Sequence, residues 1–63
     1  MSNTFINPAA QTVLDLLHQK GDSTVKQLMA LTGWSEGLIN AILSALDDQR
    51  RVRQVGRYWR AGS

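Results

Sequence analysis

The stretch Thr24–Leu46, TVKQLMALTGWSEGLINAILSAL, decides the fold. It opens with a match to the S/T-x-x-E/Q capping box, in which the side chains of Thr24 and Gln27 each satisfy a backbone N–H of the other residue. This match predicts that a second helix begins at Thr24, and Gly33 predicts its end. Ser35 then caps a third helix after a turn of about three residues, a length that sets the third helix across the second.

The third helix has the strongest periodicity in the chain. Apolar side chains recur at the i, i+3, i+4, i+7 spacing of a helix that buries one face in a core. They are Ile39, Ile42, Leu43 and Leu46. The outer face carries no cation, because residues 35–48 contain neither lysine nor arginine. We expect Trp34, in the preceding turn, to pack into the core.

A first helix precedes this pair. Asn7 and Pro8 predict its start, since an Asn side chain accepts an unpaired backbone N–H and proline fits the first helical position. An apolar stripe then runs to about Lys20, and Gly21 ends the helix. We predict an N-terminal tail of residues 1–6, one domain of residues 7–61, and a further tail or expression remnant of residues 62–63.

The C-terminal segment has the pattern of a β-hairpin. Residues 51–55 and 58–61 flank a tight turn at Gly56 and predict two short strands. Because side chains alternate across a strand, Tyr58 and Trp59 point to opposite faces, and we expect one of them to close the core. The predicted fold class is mainly α with a small β wing: a three-helix winged helix-turn-helix.

Charge is distributed unevenly along this 63-residue chain of net charge +2. Residues 1–49 contain two lysines and all five acidic residues, whereas residues 50–63 contain five arginines and no acidic residue. Such asymmetry indicates an anionic partner that the hairpin contacts, and a merely solubilising surface is the alternative.

Several classes of site are excluded by composition. The chain has no cysteine and a single histidine, so it offers neither a disulfide framework nor a metal-ligand set. Its acidic residues are scattered, and no nucleophile stands beside a base. We therefore predict no catalytic residue, no metal, no cofactor and no enzymatic activity.

Location and assembly follow from the same reading. No apolar stretch is long enough to span a membrane and no signal peptide is recognisable, which predicts a cytoplasmic protein. So short a chain buries a small core and usually gains stability from a partner, which favours a homodimer. Phe5 and Ile6 either extend that dimer interface or pack on the first helix.

The capped second helix, the Thr32-Gly33 turn, the Ser35 cap and the basic hairpin together resemble the winged helix-turn-helix superfamily of bacterial regulators. The resemblance spans residues 7–61. It implies binding of DNA, RNA or another protein, because members of this fold differ in function. Many relatives have glycine where the third helix meets the wing, whereas this chain has Gln49-Arg50. The left-handed turn expected there therefore needs either a non-glycine residue or a different geometry, and the register of the wing depends on which of the two is used.

The resemblance implies that the third helix lies in or near the major groove of duplex DNA. Asn40 would then bond adenine, and the wing would supply the phosphate or minor-groove contacts that the helix lacks. Arg50 is assigned instead to a surface ion pair with Asp47. The predicted DNA-binding residues are Lys26, Ser35, Asn40, Ser44, Arg51, Arg53, Gln54, Arg57, Trp59 and Arg60.

Two functions remain open from the sequence. The first is a transcription regulator that binds double-stranded DNA, as a homodimer on a palindromic site. The alternative is a protein–protein interaction module that docks its partner on the uncharged face of the third helix, and the cation-free helix favours this alternative while the wing arginines favour DNA.

Overall fold

A computed structural model describes residues 8–62 of the chain. The predictions for residues 1–6, for the Asn7 cap and for Phe5 and Ile6 lie outside the described residues. The described part contains three helices followed by a two-stranded antiparallel hairpin, so the predicted fold class is confirmed. The elements are α1 (Pro8–Lys20), α2 (Val25–Thr32), α3 (Glu36–Asp48), β1 (Val52–Val55) and β2 (Tyr58–Ala61).

The predicted caps are formed around α2 and α3. The Gln27 N–H donates to Thr24 Oγ1 at 3.1 Å, and the Thr24 N–H donates to Gln27 Oε1 at 2.8 Å, which completes the capping box. Gly33 adopts φ +78° beyond the end of α2, and its N–H donates to the Met29 carbonyl. Ser35 Oγ accepts from the Leu38 N–H and starts α3. Local chemistry therefore fixes both ends of the turn between these helices.

The core lies where the three helices meet the inner face of the hairpin. The apolar stripe of α3 is buried as its spacing predicts, and Ile39, Leu43 and Leu46 have no exposed surface. Trp34 is half-buried against this core, as expected. The buried apolar residues are Ala10, Val13, Leu14, Leu17, Leu28, Ile39, Ile42, Leu43, Leu46 and Val52.

A contact that the sequence did not predict fastens the hairpin to the helices. Ser23, in the α1–α2 connection, pairs antiparallel with Trp59 of β2. The Ser23 N–H donates to the Trp59 carbonyl at 3.1 Å, and the Trp59 N–H donates to the Ser23 carbonyl at 2.7 Å. Ser23 thus lies on one side of β2 and β1 on the other, which leaves the outer edge of β1 without a partner strand in the described part of the chain.

The connection from α3 to β1 contains a non-glycine residue in the left-handed conformation, which is one of the two alternatives that the missing glycine left open. Arg50 adopts φ +61°, a region that is disfavoured by about 1 kcal/mol for a residue with a Cβ. The Arg50 N–H donates to the Asp47 carbonyl and the Arg51 N–H to the Leu46 carbonyl, each at 2.9 Å. This is the hydrogen-bond pattern of a Schellman cap. It absorbs Arg51, so β1 begins at Val52 and not at Arg51 as predicted.

The helices of the described part include none long and apolar enough to cross a lipid bilayer.

Candidate nucleic-acid interface

The register of the hairpin determines which side chains of the wing, Val52–Ala61, face outward. Val52 pairs with Ala61 and Gln54 with Trp59, and directly paired residues share a face. Val52 is buried, and Trp59 and Ala61 pack against the core, so this set forms the inner face. The outer face is the alternate set: Arg53, Val55, Tyr58 and Arg60.

The two neighbouring aromatic residues of β2 therefore point to opposite faces, as predicted. Trp59 is the half-buried residue that closes the core, whereas Tyr58 is 43 % exposed beside its pair partner Val55. The sequence analysis named Trp59 as a DNA contact, yet the aromatic ring on the outer face is that of Tyr58. No pattern in the sequence chooses between Tyr58 and Trp59. In the structure, Val52 is buried on the face opposite to Tyr58, and this makes Tyr58 the outward ring.

The tip of the wing is a two-residue turn formed by Gly56 and Arg57. Gly56 has φ +66° and Arg57 does not have positive φ, which is the pattern of a type II′ turn with glycine at its first central position. Turns of this type match the twist of the strands that they join. Arg57 is thereby held exposed at the far end of the hairpin.

Arg60 differs from the other wing arginines because it is paired. Its Nη2 lies 2.9 Å from Asp22 Oδ2, and its Nε donates to Asp22 Oδ1 at 3.0 Å. These hydrogen bonds lower the pKa of Asp22 and raise the pKa of Arg60 from their ordinary values. Because one forked guanidinium meets one carboxylate, Arg60 holds β2 to the α1–α2 connection and is already neutralised.

Arg51 lies at the base of the wing and is half-buried. Its Nε donates to Gln49 Oε1 at 3.1 Å, and its carbonyl accepts from the Gly62 N–H at 2.7 Å. This predicted site residue thus contributes to the junction of α3 with the hairpin, away from the outer face of the wing.

Arg50, Arg53 and Arg57 are exposed, and none of them has an acidic partner within residues 8–62, where the only salt bridge is Arg60–Asp22. The predicted ion pair of Arg50 with Asp47 was therefore wrong. The Schellman cap brings the Arg50 backbone N–H to the Asp47 carbonyl, and the two side chains do not pair. Arg50 is a cation that the sequence analysis missed as a candidate contact.

A recess of about 330 Å³ separates the end of α3 from β1. Arg50 and Arg53 line it together with one acidic residue, Asp47. Two arginines that are not neighbours in sequence are thus brought to one concave surface. Its remaining lining residues are Val52 and Gly62.

The outer face of α3 presents polar side chains without cations. Asn40 and Ser44, one helical turn apart on the same face, are exposed. Ser35 is exposed too, although its hydroxyl already accepts the capping hydrogen bond. Lys26 is exposed in the first turn of α2. Asn40 and Ser44 offer hydrogen bonds without charge, whereas Lys26 and the arginines of the wing offer charge.

Apolar side chains are exposed on both sides of the turn between α2 and α3. Leu31 near the end of α2 is 47 % exposed, and Leu38 near the start of α3 is 43 % exposed. No group of three metal-ligating side chains is found in the part of the chain described here.

Comparison with protein-family models, with curated proteins and with solved structures finds no significant match. Function must therefore be inferred from the placement of the side chains. Their most distinctive feature is the separation between a helix face without cations and a wing with exposed, unpaired arginines.

Proposed function

We propose that this chain is a small winged-helix DNA-binding protein, a cytoplasmic transcription regulator, that holds duplex DNA mainly through its wing. In this proposal α3 lies in or near the major groove. The observation that carries it is the exposure of Arg50, Arg53 and Arg57 without an acidic partner in residues 8–62.

Exposed arginines without a carboxylate partner are the groups that bind phosphate. Affinity for duplex DNA comes largely from cations that displace counterions from phosphates. Arg53 stands on the outer face of β1 and Arg57 at the tip of the hairpin, so the two cations are spread along the wing. Arg60 contributes little of this charge, because Asp22 neutralises it.

The polar face of α3 suits base contacts better than phosphate contacts. The amide of Asn40 matches the donor and acceptor of adenine in the major groove, and the Ser44 hydroxyl serves as donor or acceptor. Glu36 and Asp48, at the two ends of α3, oppose nearby phosphates. We therefore assign sequence preference to α3 and affinity to the wing, with Lys26 as a further backbone contact.

Few contacts are available to one domain of this size, so we propose that it acts as a homodimer on a palindromic site. Two copies would double the number of cations on the DNA. A sizing measurement checks this step, and a monomer at high protein concentration would contradict it.

The second candidate function is docking of a protein partner on α3. The exposed side chain of Leu38 favours it, because Leu38 stands beside the cation-free face of the helix. A partner of this kind would bind with little dependence on salt, since apolar burial and not ion release would drive association.

Titration of a random-sequence duplex at several salt concentrations separates these two functions. For each bound copy, the DNA-binding proposal predicts that log K falls with log salt at a slope of about −3, which reports roughly 3 to 4 phosphate contacts. A bound dimer carries every cation twice, which doubles this slope and each change in it. Arg53→Gln and Arg57→Gln should each reduce the size of the slope by about 0.9. Lys20→Gln, at the end of α1, is the matched control for loss of one charge. No salt-dependent binding by the wild-type protein at low ionic strength would favour the protein-docking function.

A further inference from the structure

We propose that the recess between the end of α3 and β1 holds one phosphate group of the DNA backbone, bound by Arg50 and Arg53. The inference rests on the proposed function and makes it more specific. It adds a binding residue outside the wing, and it fixes how the C-terminal end of α3 approaches the DNA.

Arg50 is held in position by its backbone. In the Schellman cap the Arg50 N–H donates to the Asp47 carbonyl, and the N–H of the next residue donates to the Leu46 carbonyl. Glycine is the residue that usually occupies this left-handed position, because it adopts positive φ without steric cost. The chain places there an arginine that makes no ion pair within residues 8–62, and this residue lines the recess.

Arg53 lies on the other side of the recess. It is the first residue of β1 to face outward, three positions after Arg50 along the chain. A guanidinium presents N–H donors in a planar fork that matches the oxygens of a phosphate. Arg50 and Arg53 both line the recess, so a single anionic group there would meet donors from two arginines.

The open edge of β1 adds a backbone donor to this site. The N–H and the carbonyl of Trp59 both bond to Ser23, so they point away from β1. Gln54, the pair partner of Trp59 on β1, therefore forms no backbone hydrogen bond with it. Val52 lies two residues earlier and has the same orientation, which directs its N–H to the open edge. Val52 also lines the recess. Backbone N–H groups commonly bond phosphate oxygens in protein–DNA complexes.

Asp47 gives the recess one negative charge and so provides a test of the charge of its occupant. A bound phosphate is repelled by this carboxylate, so its removal strengthens binding. A ligand that carries a positive charge would depend on the same carboxylate. The sign of the effect of Asp47→Asn therefore distinguishes an anionic occupant from a cationic one.

The experiment measures binding of a random-sequence duplex to the full chain across a salt series, for the wild type, Arg50→Gln, Asp47→Asn and the control Lys20→Gln. We expect Arg50→Gln to bind several-fold more weakly at low salt and to lose about 0.9 from the size of the slope, which corresponds to one phosphate. Asp47→Asn should bind more tightly, and Lys20→Gln should match the wild type.

Arg50→Gly guards against an effect of misfolding. It removes the guanidinium but supplies the residue that suits φ +61°, so its melting temperature should be at least that of the wild type. We expect it to lose as much DNA affinity as Arg50→Gln.

A free phosphate ion has the same chemistry as the proposed occupant and is tested as a competitor. At matched ionic strength, inorganic phosphate should displace DNA from the wild type better than chloride does, and Arg50→Gln should lose this preference. Direct binding of inorganic phosphate that Arg50→Gln abolishes, with an unchanged DNA slope for the same variant, would show that the recess takes a free anion and would overturn the assignment to the DNA backbone.

Two further results would overturn the proposal. An unchanged slope for Arg50→Gln, with salt-dependent binding by the wild type, would rule out a phosphate site in the recess. The proposed DNA-binding function would still hold. Absence of salt-dependent binding by the wild type would contradict both.

Discussion

The outer face of α3 and the outer face of the wing differ in charge. Residues 35–48 contain no lysine or arginine, and α3 carries Glu36 in its first turn and Asp47 and Asp48 in its last. The wing and Arg50, two residues before β1, present exposed arginines instead. In a helix-turn-helix the second helix commonly enters the major groove. Here the corresponding helix, α3, carries no cation, and the hairpin carries exposed arginines.

Under the proposed function, this difference would divide two tasks between two elements of one small fold. Cations on phosphates set affinity, and polar groups on base edges set sequence preference. Placing them on separate elements means that one can be changed without the other.

The largest effect should come from the core that holds both faces together. Leu43→Ala removes a side chain with no exposed surface from α3 and should cost about 2–5 kcal/mol of unfolding free energy. Leu38→Ala, on the exposed side of the same helix, is the matched control and should change stability by less than about 0.5 kcal/mol. Urea denaturation followed by circular dichroism measures both. Equal losses would mean that Leu38 is buried in solution, as in a dimer or a complex.

A substitution at Ser35 separates its capping role from a DNA contact. Ser35→Ala should lower the unfolding free energy by about 1 kcal/mol, because its Oγ caps the Leu38 N–H. Ser35→Asp preserves the cap and adds a negative charge at the start of α3. We therefore expect Ser35→Asp to fold as stably as the wild type and to bind duplex DNA more weakly. Unchanged DNA binding by Ser35→Asp would place this end of α3 away from the phosphates.

A smaller effect should follow from the ion pair that fastens the wing. The pKa of Asp22 is lowered because its carboxylate accepts hydrogen bonds from Arg60. Its contribution to stability is therefore present above the ordinary aspartate pKa, about 3.9, and is lost as pH falls through the lower folded value. Both side chains are largely exposed, so the effect is modest and is screened by salt.

Melting temperatures of the wild type and Asp22→Asn as a function of pH test this assignment. The two curves should differ by a constant amount above about pH 5 and converge as the solution is acidified below about pH 4. A difference that is independent of pH down to strong acid would show that Asp22 does not act through its charge.

The elements that the sequence predicted are those with local signals. The Thr24–Gln27 capping box, the Ser35 cap and the spacing of apolar residues in α3 each depend on residues within a few positions of one another, and each is present. The sequence left two alternatives open after α3, where glycine is missing, and Arg50 in the left-handed conformation is the one observed.

The contacts that the sequence could not predict join distant segments. Asp22 pairs with Arg60 across 38 positions of the chain, and Ser23 pairs with Trp59, although neither has a periodicity or a motif that indicates its partner. Which aromatic residue of β2 faces outward depended on the same docking. Strand alternation separates Tyr58 from Trp59, but only the packing of Val52 into the core chooses between them.

The recess between the end of α3 and β1 could not be predicted from the sequence for a similar reason. Arg50 stood near Asp47 in the sequence and was assigned to it, yet the Schellman cap uses the backbone of both residues and separates their side chains. Which cations remain unpaired within residues 8–62 therefore depends on the tertiary structure.

The most direct test of the central claim compares two double variants on a random-sequence duplex across a salt series. Arg53→Gln with Arg57→Gln removes charge from the wing, and Asn40→Ala with Ser44→Ala removes polar groups from α3. The wing variant should lose about 1.8 from the size of the slope, and the α3 variant should keep the wild-type slope, because nonspecific affinity depends on phosphate contacts. An unchanged slope for the wing variant, or an equal loss for the α3 variant, would contradict the division between a wing that holds DNA and a helix that reads it.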